Sequence, residues 1–116
     1  MNQNLYHYKA ELVRVVDGDT IWCNLDRGFG DHSRKNIRVA RINTPEIRGV
    51  EKKEGLLAKR FVEDKLADCL SIVIQSTKVD SFGRAIAEVW LEESENTWVN
   101  LNDLLVEKEH AVYKDY

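Results

Sequence analysis

Three separated segments of the chain carry side chains that suit phosphate chemistry. Asp17-Gly18-Asp19-Thr20 and Asn43-Thr44-Pro45-Glu46 offer the hard oxygen atoms that a divalent cation prefers. Arg38 precedes the second segment, and the third, Asp80-Ser81-Phe82-Gly83-Arg84, ends in another arginine. A guanidinium group can bind phosphate oxygens through two parallel hydrogen bonds, and a glutamate such as Glu46 can act as a base. This combination predicts hydrolysis of a phosphodiester.

Together the three segments resemble the staphylococcal nuclease-like (thermonuclease) family. The features that carry the resemblance are Val-Asp-Gly-Asp-Thr, an arginine five residues before (Asp/Asn)-Thr-Pro-Glu, and Asp-x-(Tyr/Phe)-Gly-Arg. They occur here in the family's order, between about Leu12 and about Tyr113. Each feature alone would be weak evidence for the family, but their order and the spacing from Arg38 to Asn43 make the combined match specific. The resemblance implies a calcium-dependent nuclease that cleaves DNA or RNA with low sequence specificity and leaves a 3′-phosphate.

The resemblance also implies roles for six residues. The catalytic ones are Arg38 and Arg84, which would bind the scissile phosphate, and Glu46, which would be the general base. The calcium ligands would be Asp19, Asn43 and the backbone carbonyl of Thr44. Family members commonly have aspartate where this chain has Asn43, and a neutral amide should bind the cation less tightly.

Simpler interpretations exist for most of these residues. Asp19 could cap the bend at Asp17-Gly18, Glu46 could cap a helix, and Arg84 could be a solvated turn residue. Arg38 differs, because a charged residue within an apolar strand should be paired or functional. Arg41 lacks the family spacing and is better explained as a surface arginine whose stem covers apolar neighbours.

Three further residues could line a groove for a nucleotide: Lys78, Phe82 and Tyr113. Phe82 could stack on a base. Core or surface packing is the alternative for all three. The three histidines show no mutual spacing that indicates a ligand set or a catalytic pair.

The charge distribution is more informative than the net charge of -3, which by itself disfavours a nucleic-acid partner. Residues 27–60 hold ten Lys or Arg against four Asp or Glu, a net charge of +6, whereas the chain from Glu88 onward is acidic. This separation favours a local site for an anionic ligand, although an ordinary mixed surface explains it equally well.

The N-terminal residues lack an apolar signal-peptide core, and no apolar run is long enough to span a membrane. Cys23 and Cys69 are predicted to be buried free thiols, as in a reducing compartment. We therefore expect a cytoplasmic protein as written, or a secreted one whose leader was removed, and no membrane partner.

Hydrophobic periodicity predicts three strands, a helix, two strands and a second helix. The first strands are Tyr6–Val16, Thr20–Leu25 and Ile37–Ile42, with a hairpin loop at Asp26–Lys35. An amphipathic helix follows Glu51, and strands follow at Ser71–Ser76 and Ala85–Leu91. A polar turn at Glu92–Asn96 then leads to a helix from Leu101, capped by Asn100.

This order predicts an α+β, mainly β fold in one domain, residues 1–116: a five-stranded OB-fold barrel with two helices. The resemblance implies the same fold. The chain ends at Tyr116, about where family members begin a last helix over the barrel, so we expect that helix to be absent. A second subunit could cover the exposed apolar face.

Two other classes of function remain open. The domain could be a catalytically silent nucleic-acid-binding module, in which case arginine or glutamate should be missing from the motifs. It could also be a small protein-interaction barrel, whose melting temperature neither metal nor nucleotide would change. Because Arg38, Glu46 and Arg84 are all present, we favour the enzyme.

Overall fold

The computed structural model describes residues 6–115. In that part of the chain, strands predominate and two α-helices interrupt them. The strands are β1 (His7–Asp17), β2 (Thr20–Asp26), β3 (His32–Val39), β4 (Ile42–Asn43), β5 (Ser71–Val79), β6 (Ala85–Ser94), β7 (Thr97–Asn100) and β8 (Val112–Tyr113). The helices are α1 (Lys52–Asp68), preceded by a 3₁₀ turn at Gly49–Glu51, and α2 (Leu101–Glu107).

Five of the strands close into a barrel, which confirms the predicted OB-fold architecture. β1, β2 and β3 form an antiparallel meander, and β1 also pairs with β5, which pairs with β6. A parallel pairing of β3 with β6 closes the barrel, while β7 extends the sheet at β6. Ile21, Ile37, Ile74 and Val89 are fully buried inside. Every second residue of a strand faces this core, so the intervening residues face outward.

The helix α1 buries one narrow stripe, formed by Gly55, Ala58, Val62 and Leu66. These residues are three or four positions apart and therefore lie on one face of the helix. The two residues nearest the N-terminus are small, and they allow the helix to approach the loops that carry the site residues. Within the described residues, neither helix is both long and apolar enough to cross a membrane.

The predicted loop at Asp26–Lys35 was too long. Strand β3 already begins at His32 and pairs with β2 in register from Asp26↔His32 to Thr20↔Arg38. The start of β3 is polar on both faces, with exposed Arg34 and Lys35, so no apolar alternation marks it as a strand. Backbone pairing with β2 determines its structure.

Two other element boundaries were wrong. The predicted strand Ile37–Ile42 is broken by a turn at Ala40–Arg41, where Arg41 has a φ of 67°. The predicted turn at Glu92–Asn96 is shorter, because β6 runs to Ser94 and pairs with β7. Polar, exposed strand ends look like loops in a sequence, since the pairing that holds them is not local.

The helix α2 holds two asparagines with different roles. Asn100 caps the helix as predicted, because its Oδ1 accepts a hydrogen bond from the Asp103 amide at 2.9 Å. Asn102 is fully buried, and its Oδ1 accepts from the Val89 amide at 2.9 Å. Its Nδ2 donates to the carbonyl of Ala40 at 2.8 Å, which attaches α2 to the turn between β3 and β4.

Candidate active site

The turn between β1 and β2 positions the first site residue, Asp19. Asp17 rather than Asp19 caps this turn: its Oδ1 accepts from the Asp19 amide at 3.1 Å. The Asp19 carboxylate is buried and accepts from the Thr20 hydroxyl and the Thr44 amide, both at 3.1 Å. The simpler interpretation of Asp19 as the cap of this bend is therefore wrong. The carboxylate instead connects the turn to the loop that follows β4.

Arg38 brings two of the predicted metal ligands together. Its side chain is 7% exposed, and its Nη2 lies 3.4 Å from Oδ2 of Asp19. The same nitrogen donates to Oδ1 of Asn43 at 3.3 Å and to the Ile42 carbonyl at 3.1 Å. Nη1 donates to the Val39 carbonyl at 2.7 Å. The expectation that this arginine is paired is confirmed, and its guanidinium contacts side-chain oxygens of both Asp19 and Asn43.

Arg84 lies at the end of the tight turn between β5 and β6. Its Nε donates to Oδ2 of Asp80 at 2.8 Å, and Oδ1 of Asp80 accepts from the amides of Phe82 and Arg84 at 2.9 Å. Gly83 supplies the positive φ, 81°, that the turn requires. Asp80 thus supports the turn, as predicted, through these two amides. Its ion pair with Nε also orients the Arg84 side chain. Neither Nη of Arg84 makes a hydrogen bond within residues 6–115.

Electrostatic interactions connect these groups. Burial raises the pKa of Asp17 to about 6, and the neighbouring Asp19 carboxylate adds to that effect. Burial alone would also raise the pKa of Asp19, but hydrogen bonding with Asp17, the positive charge of Arg38 and the Thr44 amide lower it below its usual value. Burial lowers the pKa of Arg38, Asp19 opposes this change, and the positive charge of Arg84 adds to it. The two arginines are thus close enough to interact electrostatically.

Glu46 lies two residues after Thr44 in the loop that leads to α1. It does not cap that helix, whose N-cap is Glu51, so the capping interpretation is wrong. Its side chain is exposed, and its backbone amide donates to Oε1 of Glu51 at 3.4 Å. A methyl group added at Gly55 would lie 2.5 Å from the carbonyl carbon of Glu46 and 2.8 Å from the amide nitrogen of Ile47. The bare backbone of α1 at Gly55 therefore sets the position of this loop.

The three predicted groove residues lie on three different elements: Phe82 in the β5–β6 turn, Lys78 on β5 and Tyr113 on β8. Phe82 is 84% exposed at the tip of the β5–β6 turn, with the Arg84 guanidinium 5.7 Å from its ring centre. Lys78 is exposed on β5, opposite Ile86, which in turn pairs with Arg38. Phe82 therefore lies beside Arg84, whereas Ile86 separates Lys78 from Arg38, and Lys78 lines a shallow cavity with Arg41.

Tyr113 is exposed and also takes part in a structural network. Its hydroxyl donates to Oδ1 of Asp103 at 3.0 Å. Arg41 donates to the same atom at 3.0 Å and forms two hydrogen bonds of 2.7 Å to the Glu88 carboxylate. These contacts fix the turn before β4 and hence the position of Asn43. Arg41 is more than a surface arginine, but its spacing alone could not reveal partners that lie 47 and 62 residues away.

Two glycines, Gly18 and Gly55, have a packing role in the site. A methyl group at Gly18 would lie 2.9 Å from Cβ of Ala58 and 3.0 Å from Cγ2 of Thr44. Gly18 and Gly55 thus permit close contact between the β1–β2 turn, the loop after β4 and helix α1. A glycine inside a helix costs about 1 kcal/mol relative to alanine and often marks such a contact. Gly55 could have been found from that signal.

The oxygen atoms in the site fit a hard cation. Asp19 and Asn43 supply carboxylate and amide oxygens beside the same guanidinium, and the Asp17 carboxylate is adjacent. Such donors suit calcium better than zinc, which prefers nitrogen and sulfur. No group of three or more His, Cys, Asp or Glu side chains in residues 6–115 could hold a metal. A cation here would therefore also need amide, backbone or substrate oxygens.

Comparison with known proteins identifies a family and an uncharacterized relative. The sequence is 27% identical over 127 residues to the uncharacterized protein MJ1439 of Methanocaldococcus jannaschii. That alignment covers 90% of this chain but only 58% of the relative, so the chain spans little more than half of the curated protein it matches. The family model for staphylococcal nuclease homologues matches residues 36–116, which include Arg38, Glu46 and Arg84. The chain therefore belongs to the staphylococcal nuclease homologue family.

Proposed function

We propose that this protein is a calcium-dependent nuclease that hydrolyses phosphodiester bonds of DNA or RNA with little sequence preference. One observation supports it most: the buried guanidinium of Arg38 contacts oxygen atoms of both Asp19 and Asn43. A phosphate that accepts hydrogen bonds from Arg38 would thus lie beside the predicted cation ligands. Family membership supports a nucleic-acid substrate.

Arg38 and Arg84 would bind the non-bridging oxygens of the scissile phosphate. Arg38 is already held by backbone carbonyls at 2.7 and 3.1 Å, and Arg84 is held through Nε by Asp80 at 2.8 Å. Donors that are held in place before the reaction stabilise the charge of the transition state without reorganising. Both arginines would therefore contribute mainly to the rate.

Glu46 would accept a proton from the attacking water. The water oxygen forms a bond to phosphorus, and the bond from phosphorus to the 5′-oxygen breaks. This leaves a 3′-phosphate, and the departing oxygen takes a proton from solvent. Asp19, Asn43 and the Thr44 carbonyl would hold calcium, which supplies charge neutralisation and a more acidic water when bound. Phe82, Lys78 and Tyr113 are the proposed contacts for the nucleotide.

A catalytically silent nucleic-acid-binding module is the second candidate. Two observations favour it: position 43 carries a neutral amide, and the exposed Glu46 side chain makes no hydrogen bond or ion pair in the described structure. Such a protein would retain the two arginines for binding and lack the means to activate water.

The deciding experiment measures cleavage of single-stranded DNA with calcium, and again with a chelator. Glu46→Gln is the matched variant, because it keeps the size of an exposed side chain and removes only its basicity. Cleavage that requires calcium and is lost in Glu46→Gln supports the nuclease. Binding of the same DNA without cleavage by the wild-type protein would identify the silent module.

A further inference from the structure

The outer face of β2 and β3 carries a tryptophan between basic side chains. Trp22 alternates with the core residues Ile21 and Cys23 and therefore faces outward, where it is half-buried. In register it pairs with Arg14 of β1 on one side and with Asn36 of β3 on the other. Cross-strand partners in a sheet point to the same face. The three side chains thus form one row across the outside of the barrel.

This row continues directly from the candidate active site. Arg38 pairs with Thr20, two residues before Trp22, so Trp22 lies about 7 Å further along the strands. Arg34 shares the outer face of β3 and lies four residues from Arg38, about 13 Å away. One nucleotide of an extended strand could span the first distance, and two could span the second.

The charge of this face suits a polyanion. Arg14 and Arg34 are exposed, and no carboxylate within residues 6–115 forms an ion pair with either one. Oδ1 of Asn36 is buried beside Trp22 without a hydrogen-bond partner in the described structure, so a small movement of this amide would present an acceptor to a base.

Another tryptophan, Trp98, offers a comparison within the same molecule. Trp98 of β7 is 41% exposed, but it pairs with Glu92, and Glu11 and Asp26 line the same shallow cavity. Acidic neighbours disfavour a nucleic acid there. Glu11 also borders the Trp22 surface, because it pairs with Asn24 two residues further along β2. The row of Arg14, Trp22 and Asn36 itself holds no carboxylate and is continuous with Arg38.

We propose that a single-stranded nucleic acid runs from the Arg38–Arg84 site along the outer face of β2 and β3, stacks one base on Trp22 and places phosphates on Arg34 and Arg14. The inference rests on the proposed function for the identity of its ligand. It adds a binding surface beyond Phe82, Lys78 and Tyr113. Aromatic stacking combined with basic side chains is a common way to bind single strands without sequence preference.

The test is equilibrium binding of a short fluorescein-labelled oligothymidine in the presence of a chelator, so that no cleavage occurs. Trp22→Leu should weaken binding at least about fivefold, and Trp22→Phe should restore most of it. Trp98→Leu is the matched control and should bind like wild type. Arg34→Ala should make binding less dependent on salt, lowering the slope of log K against log salt concentration by about 0.7. Arg60→Ala on α1 is the control and should leave that slope unchanged.

Intrinsic fluorescence gives a second measurement that does not depend on Trp22→Leu folding. Trp22 is the sole tryptophan of the double variant Trp90→Phe/Trp98→Phe, because the chain has three. Bound oligothymidine should quench its emission. Binding without quenching, absence of binding, or equal binding by folded Trp22→Leu and Trp98→Leu would overturn the proposal.

Cleavage with calcium separates this inference from the proposed function. If wild type cleaves DNA but Trp22→Leu binds it normally, the surface is refuted and the nuclease stands. If binding depends on Trp22 but no cleavage occurs with calcium, the surface is supported and the nuclease is rejected.

Discussion

Replacing Gly55 by alanine should impair catalysis more than folding. The new methyl group would overlap the carbonyl oxygen of Glu46 and lie 2.5 Å from its carbonyl carbon, whereas ordinary contact begins at 3.4 Å, so the loop must move by at least about 0.9 Å. Backbone atoms form the obstacle, so no side-chain rotation can relieve it. A displacement of about 1 Å at a catalytic group can cost about 100-fold in rate.

The stability change should be small, because two effects oppose each other. Overpacking costs about 1–3 kcal/mol, and alanine is better than glycine in a helix by about 1 kcal/mol. We therefore expect a net loss of at most about 2 kcal/mol in the free energy of unfolding, together with a fall in kcat of about two orders of magnitude.

Calcium-dependent cleavage of single-stranded DNA gives the rate, and urea unfolding gives the stability. Gly30→Ala is the control, because its methyl group would meet nothing within 4 Å, while its φ of 77° still strains the backbone. It should lose about 1 kcal/mol of stability and keep its rate per folded molecule. A folded Gly55→Ala with wild-type kcat would refute the idea that α1 positions Glu46.

Three further substitutions test other parts of the site. Arg84→Ala should lower kcat by about 100-fold to 1000-fold while the protein stays folded, because it removes a held charge donor; near-wild-type turnover would remove Arg84 from the catalytic set. Asn43→Asp should lower the calcium concentration for half-maximal cleavage, since a carboxylate brings a full charge; an unchanged or higher requirement would mean that position 43 is not a ligand. Asn102→Ala should cost about 3 kcal/mol or more in urea unfolding, because it leaves buried backbone groups without partners; a loss below about 1 kcal/mol would contradict that role.

The local sequence was sufficient to predict the motifs and most of the architecture. Arg38, Glu46 and Arg84 lie in short segments whose residue types and spacing are meaningful without neighbours. The core strands alternate clearly, as in Thr20–Asp26, because one face must be apolar and the other meets water. Asn100 was recognisable as a helix cap because capping is a contact across three residues.

The tertiary structure decided how those motifs meet. The contact of Asp19 with Thr44 joins residues 25 positions apart, and Arg41 finds Asp103 across 62 positions. No local pattern encodes such distances. Strand register determined that Arg14, Trp22 and Asn36 share one face. Close packing determined that Gly55 and Gly18 must lack side chains. The sequence thus specified which chemical groups are present. Closure of the barrel and the packing of α1 against the site loops specified which of these groups can act together. Neither could be predicted from local patterns, because each depends on contacts between distant segments.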